Sequence, residues 1–288
     1  MLIDVTYMSG AGNLFTVIDN RKIKLSKDDL VNFAPLLCNK SDRGILKTDG
    51  LISIINGSDD LDFIAEFFNP DGSYGAMCGN GSRCAVMFAK MEKIIPRNSN
   101  LDIIKFEMAG KTYTAQLAAD VIRVYFPPPA EIIPKLIVKI NNLALICAYV
   151  NVGSDHLVIK KEDVLEFKDL ALDDIPLSDF APQLRLHPDF SPRGVNVNVY
   201  SILDKNVIQL RTYERGVEGE TAACGTGTIS TALIAASKGE VTFPVTVIPK
   251  SGIPLVVDTI YNSHQEIESI ILEGTAEIIG HAQIEIAL

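Results

Sequence analysis

The chain has 288 residues, of which 47% are apolar and 22% charged, with a formal net charge of −10. That length fits one large domain or two smaller ones, and the apolar share is enough for substantial cores. The acidic balance, with no tract of Lys and Arg, argues against a nucleic-acid partner or an anionic membrane surface; a small anionic substrate stays open, since one buried Arg and a few amides hold a carboxylate whatever the total charge.

At the N-terminus, MLIDVTYMSGAGN lacks the basic stretch and apolar core of an export signal. No window approaches the 18 or so uninterrupted apolar residues of a membrane span. Five cysteines (38, 78, 84, 147 and 224) in a chain without such a signal are expected to be reduced, and the expected location is cytoplasmic.

Further along, LDFIAEFF (61–68) reads as the first clear strand. After Cys78, residues Cys84, Phe88, Met91 and Ile95 keep helical spacing until Pro96. VIRVYF (121–126) is a second strand, and YFPPPAEIIPK (125–135) is the best domain boundary, because three consecutive prolines end a strand and stiffen a connector. Beyond it lie strand-like VNVNVYSI (195–202) and VIQLRTY (207–213). A helix carrying Ile229, Leu233 and Ala236 follows Cys224 and stops at Lys238 and Gly239. VTVI (245–248), IPLVVD (253–258) and IEIAL (284–288) complete the strands. Both helices are apolar on their remaining faces too, which suggests central helices wrapped by sheet. The fold class is therefore mixed α/β, of the α+β kind.

The two sides of the boundary repeat one another. Tyr7 opens YMSGAGNLFTVID and Tyr149 opens YVNVGSDHLVIKK; TDGLISI (48–54) corresponds to NVNVYSI (196–202); FFNPDG (67–72) precedes Cys78 as TYERG (212–216) precedes Cys224. The order is the same each time, and Cys224 follows Cys78 by 146 positions. An internal duplication explains this, with two pseudo-symmetric domains facing each other across a cleft that holds the active site.

Each duplicated cysteine stands at a helix start followed by Gly-x-Gly. The first helical amides point outward unpaired and the dipole places partial positive charge there. Such a thiol ionises more readily, and the glycines let successive N–H groups cradle a carboxylate. Two thiols and two anion nests suit inversion of a carbon acid: a thiolate removes the proton from one face and a thiol returns one to the other.

Plainer readings compete at several positions. Cys38, Cys84 and Cys147 lack such settings and read as packing residues. Cys78 and Cys84 do not have zinc-ligand spacing, and GNGSRC and GTGTIS each lack the third glycine of a dinucleotide fingerprint. Arg83 reads as support for its helix. His156 alone is either a satisfied buried imidazole or a functional one. Asn196 and Asn198 alternate with valines and mark a polar strand face, preferred as a cleft wall. Asn69 and Asp71 in NPDG suit a turn.

The blocks GAGN (10–13), FNPDGS (68–73), CGNGSR (78–83), VNVN (195–198), ERG (214–216) and ETAACGTG (220–227) resemble, in order and nearly end to end, the signature blocks of the diaminopimelate epimerases. The resemblance implies two domains, each a curved sheet wrapped around a central helix. The C-terminal strand would return to the first domain, giving 1–126 plus 276–288 and 127–275. It implies interconversion of LL- and meso-diaminopimelate on the lysine and peptidoglycan route, without pyridoxal phosphate, other cofactor or metal. Cys78 and Cys224 would be the catalytic proton-transfer residues. Gly79 with Asn80, and Gly225 with Thr226, would bind the carboxylate at the reacting carbon. Asn13, Asn69, Ser154, Asn196, Glu214 and Arg215 match positions that hold the rest of the substrate; His156 and Glu214 match residues that adjust the protonation of the cysteines. The implied partners are a small-molecule amino acid and a second copy of the chain.

The sequence departs from that pattern in four places. Leu14 follows Asn13 where the family reads GxGNDF, and GSDH stands for the usual GNPH, with Ser154 in place of a substrate-binding asparagine. The ERG-to-Cys224 loop (VEGET) is one residue longer, and Gly280 stands where family members carry a tyrosine at the dimer contact. A related racemase free of pyridoxal phosphate, acting on glutamate or histidine or on a broader set, is the principal alternative. A cysteine hydrolase using Cys224 and His156 would leave Cys78 without a purpose, and a non-catalytic binding module would not need both thiols.

Overall fold

The computed structural model describes residues 1–39, 46–58, 60–75, 77–95, 103–141 and 143–286. Pro96 and the last two residues of IEIAL lie outside them. The chain divides into one unit of residues 1–125 with 273–288 and another of residues 126–272.

In the first unit the order is β1 (Leu2–Gly10), β2 (Asn13–Asp19), a short α1 (Asn20–Ile23), α2 (Lys27–Cys38), β3 (Gly50–Asn56), β4 (Phe63–Phe68), α3 (Gly79–Met91), β5 (Ile103–Met108), β6 (Lys111–Ala118) and β7 (Val121–Phe126). β1 and β2 form an antiparallel hairpin that turns through Ala11 and Gly12, both at positive φ. β2 and β3 are parallel, β3 and β4 antiparallel, and β4 and β5 parallel. β5, β6 and β7 continue as an antiparallel meander. α3 packs against β1 to β4. Its residues are buried on every side apart from Met87, Lys90 and Met91, as the all-round apolar pattern requires. The helix ends at Met91, short of the Ile95 expected from spacing. Lys93 takes a left-handed conformation (φ 55°) and Ile94 N donates to Ala89 O at 2.9 Å, a C-terminal motif that closes the last turn before any proline is reached.

The second unit contains β8 (Glu131–Ile140), β9 (Leu143–Asn151), β10 (Asp155–Lys160), α4 (Leu177–Arg185), β11 (Asn196–Asp204), β12 (Val207–Glu214), a two-residue β13 (Gly219–Glu220), α5 (Gly225–Ser237), β14 (Val245–Ile248), β15 (Leu255–Tyr261) and β16 (Ile267–Gly274). β9 and β10 are antiparallel, β10 and β11 parallel, β11 and β12 antiparallel, β12 and β14 parallel, and β14 and β15 antiparallel. This reproduces, strand for strand and in the same sense, the run from β1 to β6. α5 takes the place of α3 and is buried from Gly225 to Ala235. Each unit is thus a sheet around a central helix, and the fold is mixed α+β.

The duplication also appears at the ends. The last strand, β17 (Glu277–Glu285), pairs antiparallel with β1 in the first unit, as β8 pairs with β9 in the second. Pro134 falls inside β8, at a register shift between Ile133 and Leu136, where a missing N–H is tolerated. No helix among the described residues is long and apolar enough to cross a membrane.

Candidate active site

Both signature cysteines are helix N-caps with nearly the same backbone. Cys78 precedes α3 at φ −115°, ψ 106°, and Cys224 precedes α5 at φ −117°, ψ 111°. Cys78 Sγ accepts from Gly81 N at 3.3 Å and Cys224 Sγ from Gly227 N at 3.4 Å. The sulfur thus replaces the hydroxyl of an ordinary N-cap. It takes the third helical amide; the first two, those of Gly79 and Asn80 and of Gly225 and Thr226, have no partner within their helix. Cys78 is half-buried and Cys224 buried. The other three cysteines are buried, and burial pushes their thiols up, to about 11 for Cys38 and about 12 for Cys84 and Cys147. They stay protonated at neutral pH.

Behind Cys78 the polar groups form one chain. Arg83 Nη2 donates to Asn80 Oδ1 (2.8 Å), Asn80 Nδ2 to Asn13 Oδ1 (2.7 Å), and Asn13 Nδ2 to Asp49 Oδ2 (3.1 Å). The side chains of Asn13 and Asn80 therefore hold each other at the start of α3. A Cβ on Gly10 would lie 2.6 Å from Asn80 O and 3.2 Å from Cys84 Sγ, so the glycine lets β1 approach the first turn of the helix. Asn69 lies in the NPDG turn, where its N–H donates to Ser73 O at 2.8 Å and its Nδ2 to Ser73 Oγ at 2.9 Å.

Around Cys224 the chain is built differently. Asn198 Nδ2 bonds both Leu157 O (3.0 Å) and His156 Nδ1 (3.1 Å), and Asn198 Oδ1 accepts from Thr212 Oγ1 (3.0 Å). His156 Nε2 meets Thr226 Oγ1 at 2.9 Å, and Thr226 Oγ1 lies 3.6 Å from Cys224 Sγ. His156 is fully buried; burial first, and then the charge of Arg215, pull its imidazole down to about 3, so it is neutral.

Asn196 ties the GSDH loop to the ERG turn. Its Nδ2 donates to Ser154 Oγ and Asp155 O, each at 2.9 Å, and its Oδ1 accepts from Arg215 N at 2.9 Å. Glu214 Oε1 accepts from Thr221 Oγ1. Arg215 Nη1 bonds Asp155 Oδ2 at 3.1 Å and Gly194 O at 3.3 Å.

Sequence reasoning passed over the residue on which this corner turns. Asp155 is 5% exposed and accepts from Tyr149 Oη, Asn151 Nδ2, Arg215 Nη1 and, through two bonds, Arg193. Burial opposes its charge, but the bonds from Arg193, Tyr149 and Arg215 outweigh it and hold the carboxyl below the usual range. The signal was an acid next to His156 at the start of a strand. Thr212 and Asp49 are further supports that the signature blocks did not mark, whereas Asn198 lies in the VNVN block on the strand face preferred as a cleft wall. The structure thus gathers Cys78, Gly79, Asn80 and Asn13 at the start of α3. It gathers Cys224, Gly225, Thr226 and His156 at the start of α5, and Ser154, Asn196 and Arg215 around Asp155.

Comparison with known proteins follows the same lines. The family model described as "Diaminopimelate epimerase" matches residues 5–117 and 148–278. The chain is similar to the diaminopimelate epimerase of Aquifex aeolicus, 36% identical over 264 residues that cover 87% of this chain and 88% of that one. It is also similar to that of Chlorobaculum tepidum, 34% identical, with 94% and 97% covered. Among solved structures, a phenazine biosynthesis protein of the PhzF family from Bacillus anthracis shares the fold at a TM-score of 0.73 and 14% identity, covering 99% of this chain and all of that one. A hydroxyproline epimerase from Agrobacterium vitis does so at 0.65 and 13%, with 98% and 92% covered.

Proposed function

This chain belongs to the diaminopimelate epimerase family, and from that premise we propose that it interconverts LL- and meso-2,6-diaminopimelate by proton transfer between two thiols, without pyridoxal phosphate. The observation that carries this reading is the matched pair of cysteine N-caps, each sulfur at the mouth of a buried central helix and accepting the amide three residues on.

In one direction the thiolate of one cysteine takes the α-hydrogen as a proton, and the electron pair passes into the α-carboxylate as an enolate. The thiol of the other cysteine then protonates the opposite face and becomes the thiolate. Base and acid exchange states, and the reverse reaction resets them. Cys78 and Cys224 fill these roles. The amides of Gly79 and Asn80 and those of Gly225 and Thr226 receive the carboxylate as its charge grows; each well-aimed donor contributes about 3–4 kcal/mol. His156 and Glu214 adjust protonation on the Cys224 side. Arg215, anchored through Nη1, presents the rest of its fork to the distal carboxylate. Asn69, Ser154, Asn196 and Glu214 complete the substrate contacts, and Asn13 acts through Asn80. Family membership supports a homodimer, tested by light scattering, and free cysteines suit a cytoplasmic location.

The decisive experiment is proton NMR in D₂O with reduced protein and LL-diaminopimelate, with glutamate, histidine and lysine in separate tubes. Exchange of the α-hydrogen with formation of meso product, for diaminopimelate alone, is the expected result. Comparable exchange of another amino acid would replace the substrate while keeping the mechanism, and exchange of none would overturn the reading.

A further inference from the structure

Arg83 is a fully buried cation whose hydrogen-bond partners are all neutral. Nη1 donates to Gly79 O at 3.2 Å, Nη2 to Asn80 Oδ1 at 2.8 Å and Nε to Thr275 O at 3.2 Å. Burial draws the guanidinium down only to about 10, so it keeps its charge at neutral pH. An ion removed from water without a counter-ion is costly. The carboxylates on the elements around α3 do not supply one. Asp4 bonds Gln283, Asp19 bonds Arg21, Asp49 bonds Asn13 and Leu14 N, Glu66 bonds Ser53, and Glu273 bonds Arg123. The two groups whose negative charge would act on Arg83 are the thiols of Cys84 and Cys78. Cys84, fully buried, does not ionise at neutral pH. Cys78 remains.

The matching position of the second unit holds no cation. Five residues after Cys78 stands Arg83; five after Cys224 stands Ile229, buried and apolar. Near Cys224 stands Thr226, backed by a neutral imidazole. Arg83 also grips Gly79 O, which accepts from Ser82 Oγ as well (2.9 Å). Two donors on that carbonyl polarise the peptide whose N–H, that of Asn80, is one of the first two helical amides.

We infer that Arg83 is the positioning residue that charges the Cys78 half-site, keeping Cys78 as thiolate in the ligand-free enzyme while Cys224 waits as thiol. The proton of Cys78 leaves to solvent and the guanidinium gains its missing counter-ion. The two halves, alike in fold, then start each cycle in defined and different states, with Cys78 the first base. That catalytic consequence rests on the function proposed above, but the thiol states do not.

The test is alkylation by iodoacetamide between pH 5 and 9, with the Cys78 and Cys224 peptides quantified from the same sample by mass spectrometry. The wild type is expected to label Cys78 with the lower midpoint. Arg83→Gln moves that midpoint up by about one to three pH units and leaves Cys224 where it was, while Arg83→Lys restores part of the shift. A lower midpoint for Cys224 in the wild type, or an unmoved Cys78 in Arg83→Gln, overturns the inference. Should Arg83→Gln not fold, the wild-type order of midpoints decides alone. A protein that shows these midpoints but does not turn over diaminopimelate overturns the proposed function and leaves this inference standing.

Discussion

His156 Nε2 stands 2.9 Å from Thr226 Oγ1, and the surrounding bonds decide which of the two donates. Asn198 Nδ2 faces the carbonyl of Leu157, so that atom is the amide nitrogen, and it also faces His156 Nδ1. Nδ1 must then accept, which leaves the ring proton on Nε2 to be given to Thr226. The threonine hydroxyl, having accepted, directs its own proton toward Cys224 Sγ, 3.6 Å away. The neutral imidazole thus acts through threonine as a donor to the sulfur, favouring the thiolate when Cys224 has given up its proton.

Thr226→Val keeps the shape and removes this donor. A lost hydrogen bond to a charged group is worth about 1.5–3 kcal/mol, so kcat should fall by roughly tenfold or more. Alkylation of Cys224 at neutral pH should slow while that of Cys78 does not. Equal slowing at both cysteines would point to a general disturbance and remove the chain from the mechanism.

The same imidazole makes the fold sensitive to acid. Its native value of about 3 lies below the ordinary 6.5, so between these pH values the unfolded chain binds a proton that the native chain does not. Stability is then flat above pH 6.5 and declines as the pH falls toward 3, by about 2 kcal/mol between pH 7 and 5. Asp155 is displaced in the same direction; its contribution is present above the usual carboxylate range and is lost only in stronger acid, below this window. Urea midpoints measured from pH 7 to 5 on wild type and His156→Gln check the sign. The variant should lose most of the slope, and a slope that survives intact would place the titrating group elsewhere.

Cys78→Ala and Cys224→Ala should each abolish inversion, because in the proposed mechanism either change removes one of the two proton carriers. Cys84→Ala removes only a buried sulfur that stays protonated, at a cost on the order of 1 kcal/mol, and should keep most of the activity. The NMR assay ranks the three; the reverse order would refute the assignment of the thiols.

The central helices and the duplication were legible because both cysteine motifs sit on segments apolar all round, and strand runs such as VIRVYF and VTVI coincide with β7 and β14. α2 and α4 were not read from the sequence. Each carries an internal proline, Pro35 and Pro182, which breaks the local signal. Tertiary packing of Leu30, Phe33, Ala34 and Leu37 in one, and of Leu177, Phe180, Ala181 and Leu184 in the other, outweighs it. In the site, motif blocks located both thiols and their amides, whereas Asp155 and Asp49 escaped notice. Asp155 draws two of its donors, Arg193 and Arg215, from 38 and 60 residues away, and Asp49 draws its own from Asn13 and Leu14, so the only local trace was an acid beside His156.

Gly227→Ala separates the two helix starts. A Cβ there would collide with Asn198 Oδ1 and lie 3.2 Å from Cys224 Cβ and 3.3 Å from its Sγ. Asn198 cannot retreat freely, since it is fully buried and bonded to Leu157, Thr212 and His156. At Gly81 the nearest neighbours are Cys78 Sγ at 3.2 Å and Ile52 Cδ1 at 3.3 Å. These need to give by only a few tenths of an ångström, and alanine's helix propensity returns up to about 1 kcal/mol. Gly227→Ala should therefore cost about 1–3 kcal/mol of stability through overpacking, and it should lower kcat further by turning Asn198 away from His156. Gly81→Ala should be close to neutral in thermal unfolding. If Gly227→Ala unfolds and turns over like the wild type, the chain from Asn198 to Cys224 has slack enough to absorb a methyl group, and the ordered relay through His156 and Thr226 loses its structural basis.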